Sequence, residues 1–301
     1  MTRRNEKPPT RRPGGPEGGR PGAPRPPGRP PGPPREPGRR DGPRREAPRP
    51  EADPQRERAA GLWLYGIHAV EAALANPKRH VKRVLAAPAT RETLGARLEK
   101  AVSARRLAVE ERPREEIDRM LPVGAVHQGL AIQVEPLADL DVDDAATVAP
   151  GERAVVVVLD QVTDPHNVGA VLRSAAAFGA RAVIVTERNA PGESGALAKA
   201  ASGALDLVPL VRATNLARAL ERLAALGYWR IGLDGTATKS LAETDTSGAV
   251  AFVLGAEGEG LRRLTAEKCD FLAKLPIDPR IESLNVSNAA AIALYERARG
   301  L

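Results

Sequence analysis

The chain has 301 residues and a formal net charge of +7, and its single cysteine, Cys269, excludes an internal disulfide and the paired cysteines of zinc and redox motifs. No run of about 18 apolar residues is present, and the first residues lack the apolar segment of a secretory signal, which argues against a membrane-spanning helix and against export. We therefore expect a cytoplasmic protein that binds no membrane.

A basic, proline-rich tail precedes the part of the chain that can fold. Residues 1–60 hold 17 of the 28 prolines and 9 of the 28 glycines, with 16 basic against 8 acidic side chains. This segment can bury too little apolar surface to offset its chain entropy, so we expect it to be disordered. Its spaced arginines suit phosphate contacts and predict an arm that raises RNA affinity without selecting a site. A purely solubilising extension is the alternative.

Alternating helix and strand patterns over residues 61–137 predict a small α/β domain. The predicted strands are 81–85, 107–110 and 130–134, and the predicted helices are 65–74, 91–105 and 113–121. An acidic run at residues 139–144 predicts a structureless linker, which we place at residues 138–152.

A second α/β domain is predicted for residues 153–301. Its strands are predicted at 154–159, 182–185, 206–211, 228–233, 250–254 and 271–275, and its clearest helices at 216–226 and 285–299. The uninterrupted apolar run 154–159 is typical of a parallel strand that is covered on both faces. The pattern predicts an open parallel sheet with helices on both sides.

Polar residues that follow the strands of such a sheet are candidate ligand contacts, because ligands bind outside the carboxyl ends of parallel strands. The first cluster, residues 160–169, opens a helix that continues through Arg173. Asn167 by itself could cap this helix. Arg173 lies in an apolar stretch, where a guanidinium normally needs a partner or a polar cavity. The two converge only if Asn167 precedes the helix proper, since six residues turn a helix by about 600°.

The second cluster is a glycine-rich loop at residues 254–261. Its glycines permit a tight turn and the close approach of backbone to a ligand, and Glu257 lies between them. No Lys-Ser or Lys-Thr pair completes a phosphate-binding loop, and the glycine spacing is not that of the dinucleotide fingerprint. An ordinary strand-to-helix turn is the alternative.

The third cluster, residues 275–288, leads into an apolar helix. Ser283, Asn285, Ser287 and Asn288 crowd the start of this helix, whose free N–H groups suit a carboxylate or phosphate. One or two of them would suffice for capping, so four indicate ligand contacts as well. The four histidines are scattered and predict no metal site.

Together the three clusters resemble the signature motifs of the SpoU/TrmH family of RNA 2′-O-ribose methyltransferases, which belong to the SPOUT class. The matching residues are Asn167-x-Gly169-x-x-x-Arg173, Gly255-x-Glu257-Gly258-x-Gly260 and Ser283-Leu284-Asn285-Val286-Ser287. Residues 65–70 and 127–129 resemble the N-terminal RNA substrate-binding domain of the ribosomal-RNA branch. The resemblance implies a C-terminal α/β trefoil-knot domain, a homodimer formed through it, and S-adenosyl-L-methionine as cofactor.

The resemblance also implies roles for individual residues. The implied catalytic residues are Asn167, Arg173, Glu257, Ser283 and Asn285. The implied cofactor contacts are Gly255, Leu275, Ile277, Leu284 and Ser287. Arg173 would act either as a general base or as a cation that clamps a 3′-phosphate while Asn167 and Glu257 hold it, and we prefer the clamp because a guanidinium retains its proton.

The implied reaction is methyl transfer to a ribose 2′-hydroxyl of RNA, at a guanosine of 23S ribosomal RNA. Two alternatives stay open at this point. One is methylation of tRNA, and the other is a non-catalytic RNA-binding factor in ribosome assembly.

Overall fold

The protein is described by a computed structural model over residues 61–299. The predicted tail, residues 1–60, lies outside the described residues. The strands within the described range are β1 Leu62–Tyr65, β2 Val81–Ala86, β3 Val109–Glu111, β4 Leu130–Val134, β5 Val155–Leu159, β6 Ala182–Thr186, β7 Leu210–Ala213, β8 Trp229–Leu233, β9 Val250–Leu254 and β10 Phe271–Ala273. The α-helices are α1 Ile67–Ala75, α2 Pro88–Ser103, α3 Arg114–Met120, α4 Val142–Ala146, α5 Pro165–Ala177, α6 Gly195–Ala201, α7 Leu216–Ala225, α8 Arg263–Glu267 and α9 Val286–Arg299.

The first four strands form a mixed sheet in the order β1-β4-β2-β3. Strand β4 runs antiparallel to β1 and β2, whereas β3 runs parallel to β2. Successive side chains of a strand point to opposite faces. Leu64 accordingly packs in the core with α1, while Trp63 and Tyr65 pack on the other face with Ile117 of α3. Strand β1 was not predicted because its run of four apolar residues is too short to be told apart from the apolar helix pattern that follows it.

The remaining six strands form one fully parallel sheet in the order β10-β8-β9-β5-β6-β7. Val155, Val157 and Leu159 of the central strand β5 face the core formed with α5, α6 and α9. Val156 and Val158 face the opposite core, formed with α4 and α7. The predicted open parallel sheet with helices on both sides is therefore confirmed.

Two details differ from the sequence-based expectation. The strand predicted at 206–211 lies at Leu210–Ala213, preceded by a 3-10 turn at Ala204–Asp206. The acidic run predicted to be structureless contains the helix α4. Asp141 caps this helix by accepting a hydrogen bond from the Asp144 N–H at 2.8 Å, and the fully buried Ala146 anchors it against the sheet. An aspartate that looks like loop composition is here an N-cap.

A buried guanidinium joins the small sheet to the large one. Arg79, 1% exposed, precedes β2. Its Nη1 donates to Glu193 Oε2 at 2.7 Å and its Nε donates to Asp206 Oδ1 at 2.8 Å. Both carboxylates lie in the domain of the parallel sheet, where Glu193 precedes α6 and Asp206 follows it. Lys199 of α6 likewise donates to Gln128 Oε1 at 2.5 Å. The residues 127–129, which resemble the substrate-binding domain, thus reach this junction.

Candidate active site

A cavity of about 520 Å³ lies at the carboxyl ends of β8, β9 and β10. The loops that follow these three strands line it. Of the residues predicted to contact a cofactor, Gly255, Leu275, Ile277 and Leu284 are in the lining. Ser287 is not, and its N–H and hydroxyl instead donate to the Asn285 side chain.

The glycine loop leaves no room for a side chain at Gly255. A Cβ added there would lie 2.0 Å from the carbonyl carbon and oxygen of Gly260 and 2.4 Å from the Leu261 nitrogen. The loop closes through a hydrogen bond from the Gly260 N–H to the Ala256 carbonyl at 3.0 Å. Gly258 and Gly260 have φ values of +82° and +67°, which favour glycine. The predicted tight turn is present, and it presents bare backbone to the cavity.

Three of the predicted catalytic residues form one hydrogen-bonded network beside the cavity. Glu257 Oε1 accepts from Asn167 Nδ2 at 3.0 Å and from Asn285 Nδ2 at 2.6 Å. Asn285 Nδ2 also donates to Asn167 Oδ1 at 2.9 Å. The three residues follow β9, β5 and β10 and are separated by up to 118 positions in the chain. The second carboxylate oxygen, Oε2, makes no hydrogen bond within residues 61–299, so it is free to accept one.

Asn285 is oriented by its position at the start of α9. Its carbonyl accepts the first helical hydrogen bond, from the Ala289 N–H at 3.0 Å. Its Oδ1 accepts from the Ser287 N–H at 2.9 Å, which caps the helix and turns the amide nitrogen toward Glu257. Asn285 is therefore both a cap and a site residue. Ser283 lines the cavity, whereas the exposed Asn288 does not.

Asn167 does not cap the helix that contains it. The N-cap of α5 is Asp164, which accepts from the His166 N–H at 2.9 Å, and Asn167 lies in the first helical turn. The capping alternative for Asn167 is therefore wrong. Because Asn167 is inside the helix, Arg173 points about 120° away from it. The condition for these two side chains to converge, that Asn167 precedes the helix, is therefore not met.

Arg173 is exposed, and no hydrogen bond or ion pair within the described residues holds it. The partner or polar cavity expected for this guanidinium is not needed within one chain, because α5 is amphipathic and Arg173 lies on its exposed face. Its buried face is formed by Val168, Val171, Leu172 and Ala175. Asn167 and Glu257 bind each other and Asn285 rather than the arginine.

An ion pair that the sequence did not reveal fixes the glycine loop to β5. Asp160 is fully buried, and its carboxylate accepts from Arg262 Nε at 2.7 Å and from the Arg262 N–H at 3.2 Å. Arg262 directly follows the loop that contains Glu257. The pair therefore ties the segment that leads to Asn167 to the loop that contains Glu257.

Asp234, Gly235 and Thr236 also line the cavity and were missed. They follow β8 directly. The rule that found the other clusters, polar residues after an apolar strand, would have found these as well.

Three further features of the described residues concern metal ligands, the thiol of Cys269 and membrane-spanning helices. No group of three or more His, Cys, Asp or Glu side chains between residues 61 and 299 could hold a metal ion. Burial raises the pKa of the Cys269 thiol to about 12, so it stays protonated and is not a nucleophile at neutral pH. No helix in this range is long and apolar enough to cross a membrane.

Two family models match the chain and divide it between them. Residues 154–295 match the SpoU rRNA Methylase family, and residues 63–140 match a model described as RNA 2'-O ribose methyltransferase substrate binding. The first match includes all the clusters at the carboxyl edge of the parallel sheet, and the second covers the mixed sheet. The fold and the site thus define an RNA 2′-O-ribose methyltransferase architecture.

Curated relatives cover most of the chain. The 23S rRNA (guanosine-2'-O-)-methyltransferase RlmB of Pseudomonas aeruginosa is 40% identical over 238 residues, which are 78% of this chain and 95% of the relative. The protein of the same name from Vibrio cholerae is 40% identical over 238 residues, 78% of this chain and 96% of the relative. The chain belongs to the SpoU rRNA methylase family.

Solved structures confirm the fold. The AdoMet-bound rRNA methyltransferase of Sinorhizobium meliloti superposes with a TM-score of 0.65 at 25% identity, covering 82% of this chain and 90% of that one. The SpoU methyltransferase AviRb of Streptomyces viridochromogenes in complex with AdoMet gives 0.69 at 23% identity, over 83% and 94%. The predicted class, an α/β trefoil-knot SPOUT domain preceded by a smaller α/β domain, is confirmed.

Proposed function

We propose that this protein transfers a methyl group from S-adenosyl-L-methionine to the ribose 2′-hydroxyl of a guanosine in 23S rRNA. The observation that supports this most directly is the network of Asn167, Glu257 and Asn285 at the edge of the glycine-loop cavity. The names of the relatives support the choice of 23S rRNA over tRNA, since this chain spans almost their whole length.

The cavity fits an adenosyl cofactor. Leu275 is half-buried and Ile277 is 38% exposed, so apolar surface is available to an adenine ring. Gly255 admits only backbone contacts, and Leu284 closes the lining. When bound, the cofactor supplies an electrophilic methyl group on a sulfonium.

Glu257, Asn167 and Asn285 orient the attacking hydroxyl. The amides fix one carboxylate oxygen of Glu257, which leaves Oε2 to accept a hydrogen bond from a ribose hydroxyl. Ser283, in the cavity lining, offers a further hydroxyl contact. Positioning of this kind contributes a large part of the rate, because the oxygen must be aligned with the departing sulfur. A new O–C bond forms as the S–C bond breaks, and the hydroxyl proton leaves to water.

Arg173 acts as a phosphate clamp across a homodimer interface. It lies on the exposed side of α5, and the adjacent α9 exposes Ile292 (44%) and Tyr295 (55%). Tyr295 meets Phe178 edge-to-face with ring centroids 6.2 Å apart. A second copy of this chain covers this apolar face and places its Arg173 beside the RNA backbone.

Light scattering tests the dimer. The wild type should have the mass of a dimer, and Tyr295→Arg should have the mass of a monomer. A wild-type monomer at micromolar concentration overturns the interface.

The roles of the domains follow the division of the chain between the two family matches. Residues 61–137 select the RNA, residues 138–152 connect the two units, and residues 153–301 perform the transfer. The match of residues 63–140 to a substrate-binding family supports this assignment.

The test uses the full chain with a labelled methyl donor and separate pools of rRNA and tRNA. We expect label in 23S rRNA, recovered as 2′-O-methylguanosine after digestion. Glu257→Gln keeps the size of the side chain and removes its charge, and should reduce the rate at least tenfold. Label in tRNA alone overturns the choice of substrate. Label in neither pool overturns the enzymatic function and favours a binding factor.

A further inference from the structure

A second, larger cavity of about 710 Å³ lies at the same edge of the parallel sheet, on the other side of β5. Residues that follow β5, β6 and β7 line it, together with the start of α8. In open parallel sheets this edge is where ligands bind. None of the residues predicted as catalytic or cofactor-binding lines this cavity, so the site described above does not account for it.

The lining is basic and contains no carboxylate. Arg188, Arg262 and Arg263 contribute three guanidinium groups, and the other polar lining residues are neutral amides and hydroxyls. Arg188 is exposed, and its guanidinium makes no hydrogen bond or ion pair within the described residues; only its carbonyl is engaged, by the Thr186 hydroxyl at 2.9 Å. Arg263 pairs only with the exposed Glu267, one helical turn away, at 2.5 Å. Both side chains are available to an anionic ligand, since a surface ion pair of this kind contributes little.

Two residues of the cavity adopt left-handed backbone, which is unfavourable for glutamine and tolerated by asparagine. Gln161 and Asn189 have φ values of 60° and 71°, and Asn189 Nδ2 donates to Gln161 Oε1 at 2.9 Å. Left-handed backbone at a non-glycine residue costs energy and persists only where the surroundings impose it. The paired amides leave Gln161 Nε2 and Asn189 Oδ1 directed to other partners, which gives the cavity a neutral donor and acceptor beside its arginines.

The cavity adjoins the catalytic network through the two loops that they share. Gln161 precedes Asn167 by six positions, and Arg262 follows Glu257 by five. The Asp160–Arg262 ion pair joins these loops between the two cavities. The first cavity is centred on β8 and the second on β6, with β9 and β5 between them, so the two cavities are separated by about three strand spacings, roughly 14 Å. A polymer that reaches one of them is long enough to reach the other.

We propose that this cavity binds a nucleotide of the substrate RNA next to the methylated one, with its phosphodiester on Arg188 and Arg263. The inference rests on the proposed function for the identity of the polymer. Exposed Leu264, 57% accessible, offers the neighbouring ribose or base an apolar contact. Arg262 serves the site differently, because its guanidinium is already bound to Asp160. The cavity thereby helps to fix the register of the RNA strand at Glu257.

The test compares Arg188→Ala, Arg263→Ala and the double variant with Arg153→Ala in the full chain. Arg153 is exposed and precedes β5 at the opposite edge of the sheet, so its loss removes the same charge away from the cavity. The dissociation constant for a 23S rRNA fragment is measured over a range of salt concentrations. The KM for RNA, the kcat and the affinity for S-adenosyl-L-methionine are measured alongside it.

We expect each cavity variant to raise the dissociation constant and the KM for RNA about tenfold, since a charge-assisted phosphate contact is lost. The slope of log affinity against log salt should fall by about 0.7 for each lost contact with a single strand. The kcat at saturating RNA and the cofactor affinity should stay within about twofold, and Arg188→Lys should recover the salt slope. Both side chains are exposed, so the melting temperature should not change.

Three results distinguish a failure of this inference from a failure of the proposed function. If Arg188→Ala and Arg263→Ala bind RNA like Arg153→Ala, the cavity is not an RNA site and the inference is wrong. If inorganic phosphate at millimolar concentration reverses the loss in affinity or competes fully with RNA, the site holds a free anion and the inference is also wrong. If the variants lose RNA affinity while the wild type methylates no RNA, the inference that the cavity binds RNA is supported and the proposed function is wrong.

Discussion

Gly255→Ala is the smallest change that should disable the site, because it adds one methyl group where the loop returns on itself. The added Cβ would lie 2.0 Å from the carbonyl carbon and oxygen of Gly260, whereas ordinary Cβ contacts begin at 3.4 Å. Backbone atoms cannot rotate away as the end of a flexible side chain can. The loop must therefore open by about 1.4 Å or more.

The size of this shift sets the expected loss of activity. Glu257 is two residues away, and its hydrogen bonds to Asn167 and Asn285 are 3.0 and 2.6 Å long. A displacement of more than about 1 Å breaks at least one of them, and misplacement of this size costs on the order of 100-fold in rate. We expect kcat/KM to fall about 100-fold, cofactor affinity about tenfold, and stability by about 1–3 kcal/mol from overpacking.

The assay combines single-turnover methyl transfer, calorimetric titration with S-adenosyl-L-methionine, and urea unfolding. Gly248→Ala is the matched control, because nothing lies within 4 Å of a Cβ at Gly248 and its backbone has an ordinary φ. This control should behave like the wild type in all three measurements. If the cofactor affinity and the methyl-transfer rate of Gly255→Ala stay within about threefold of the wild type, the loop accommodates a Cβ at this position and the argument from steric overlap is wrong.

Three further predictions concern single substitutions. Asn285→Asp keeps the helix cap but replaces the hydrogen-bond donor to Glu257 with a second carboxylate. The kcat should therefore fall about 10- to 100-fold, while the melting temperature stays within about 2 °C of the wild type. An unchanged kcat contradicts a role for the Asn285–Glu257 hydrogen bond in the reaction. Arg79→Met removes the ion-pair partner of Asp206 and Glu193, whose side chains are 2% and 15% exposed, and should cost about 3–5 kcal/mol in urea unfolding. A cost below about 1 kcal/mol would show the junction to be unimportant. The hydrogen bond from Arg230 lowers the pKa of Asp270, so the stability from ionised Asp270 is present at neutral pH and is lost as the pH falls below about 4. Asp270→Asn should therefore show a smaller drop in melting temperature between pH 7 and 3 than the wild type, and an equal drop refutes this.

The parallel sheet was predictable because its strands are covered on both faces. Such strands appear as continuous apolar runs, and 250–254 was placed with its observed bounds, Val250–Leu254. The strand ends then located the glycine loop, which lines the cavity, and the third cluster, of which Leu275, Ile277, Ser283 and Leu284 line it. Local patterns were sufficient here, since the features depend on neighbouring residues.

The features that the sequence did not reveal depend on contacts between distant residues or on the exact start of a helix. Asp160 and Arg262 are 102 positions apart, and only the adjacency of β5 and β9 brings them together. Asn167 was compatible with a cap, but Asp164 three residues earlier takes that position and rotates Arg173 away from the network. If the start of a helix is misplaced by three residues, the predicted direction of every later side chain changes by about 300° around the helix axis.

The order of the strands explains why one segment contributes both to the cavity lining and to the position of Asn285. Asn285 follows β10, yet its partner Glu257 follows β9, and β8 lies between these two strands. Residues 274–284 must therefore cross the carboxyl end of β8, above Asp234, before Asn285 can reach the network. This crossing segment contributes Leu275, Ile277, Ser283 and Leu284 to the cavity lining. The same stretch of chain closes the proposed cofactor cavity and determines where Asn285 lies, so any change in its path displaces the Asn285 amide, and its hydrogen bond to Glu257, together with the apolar contacts.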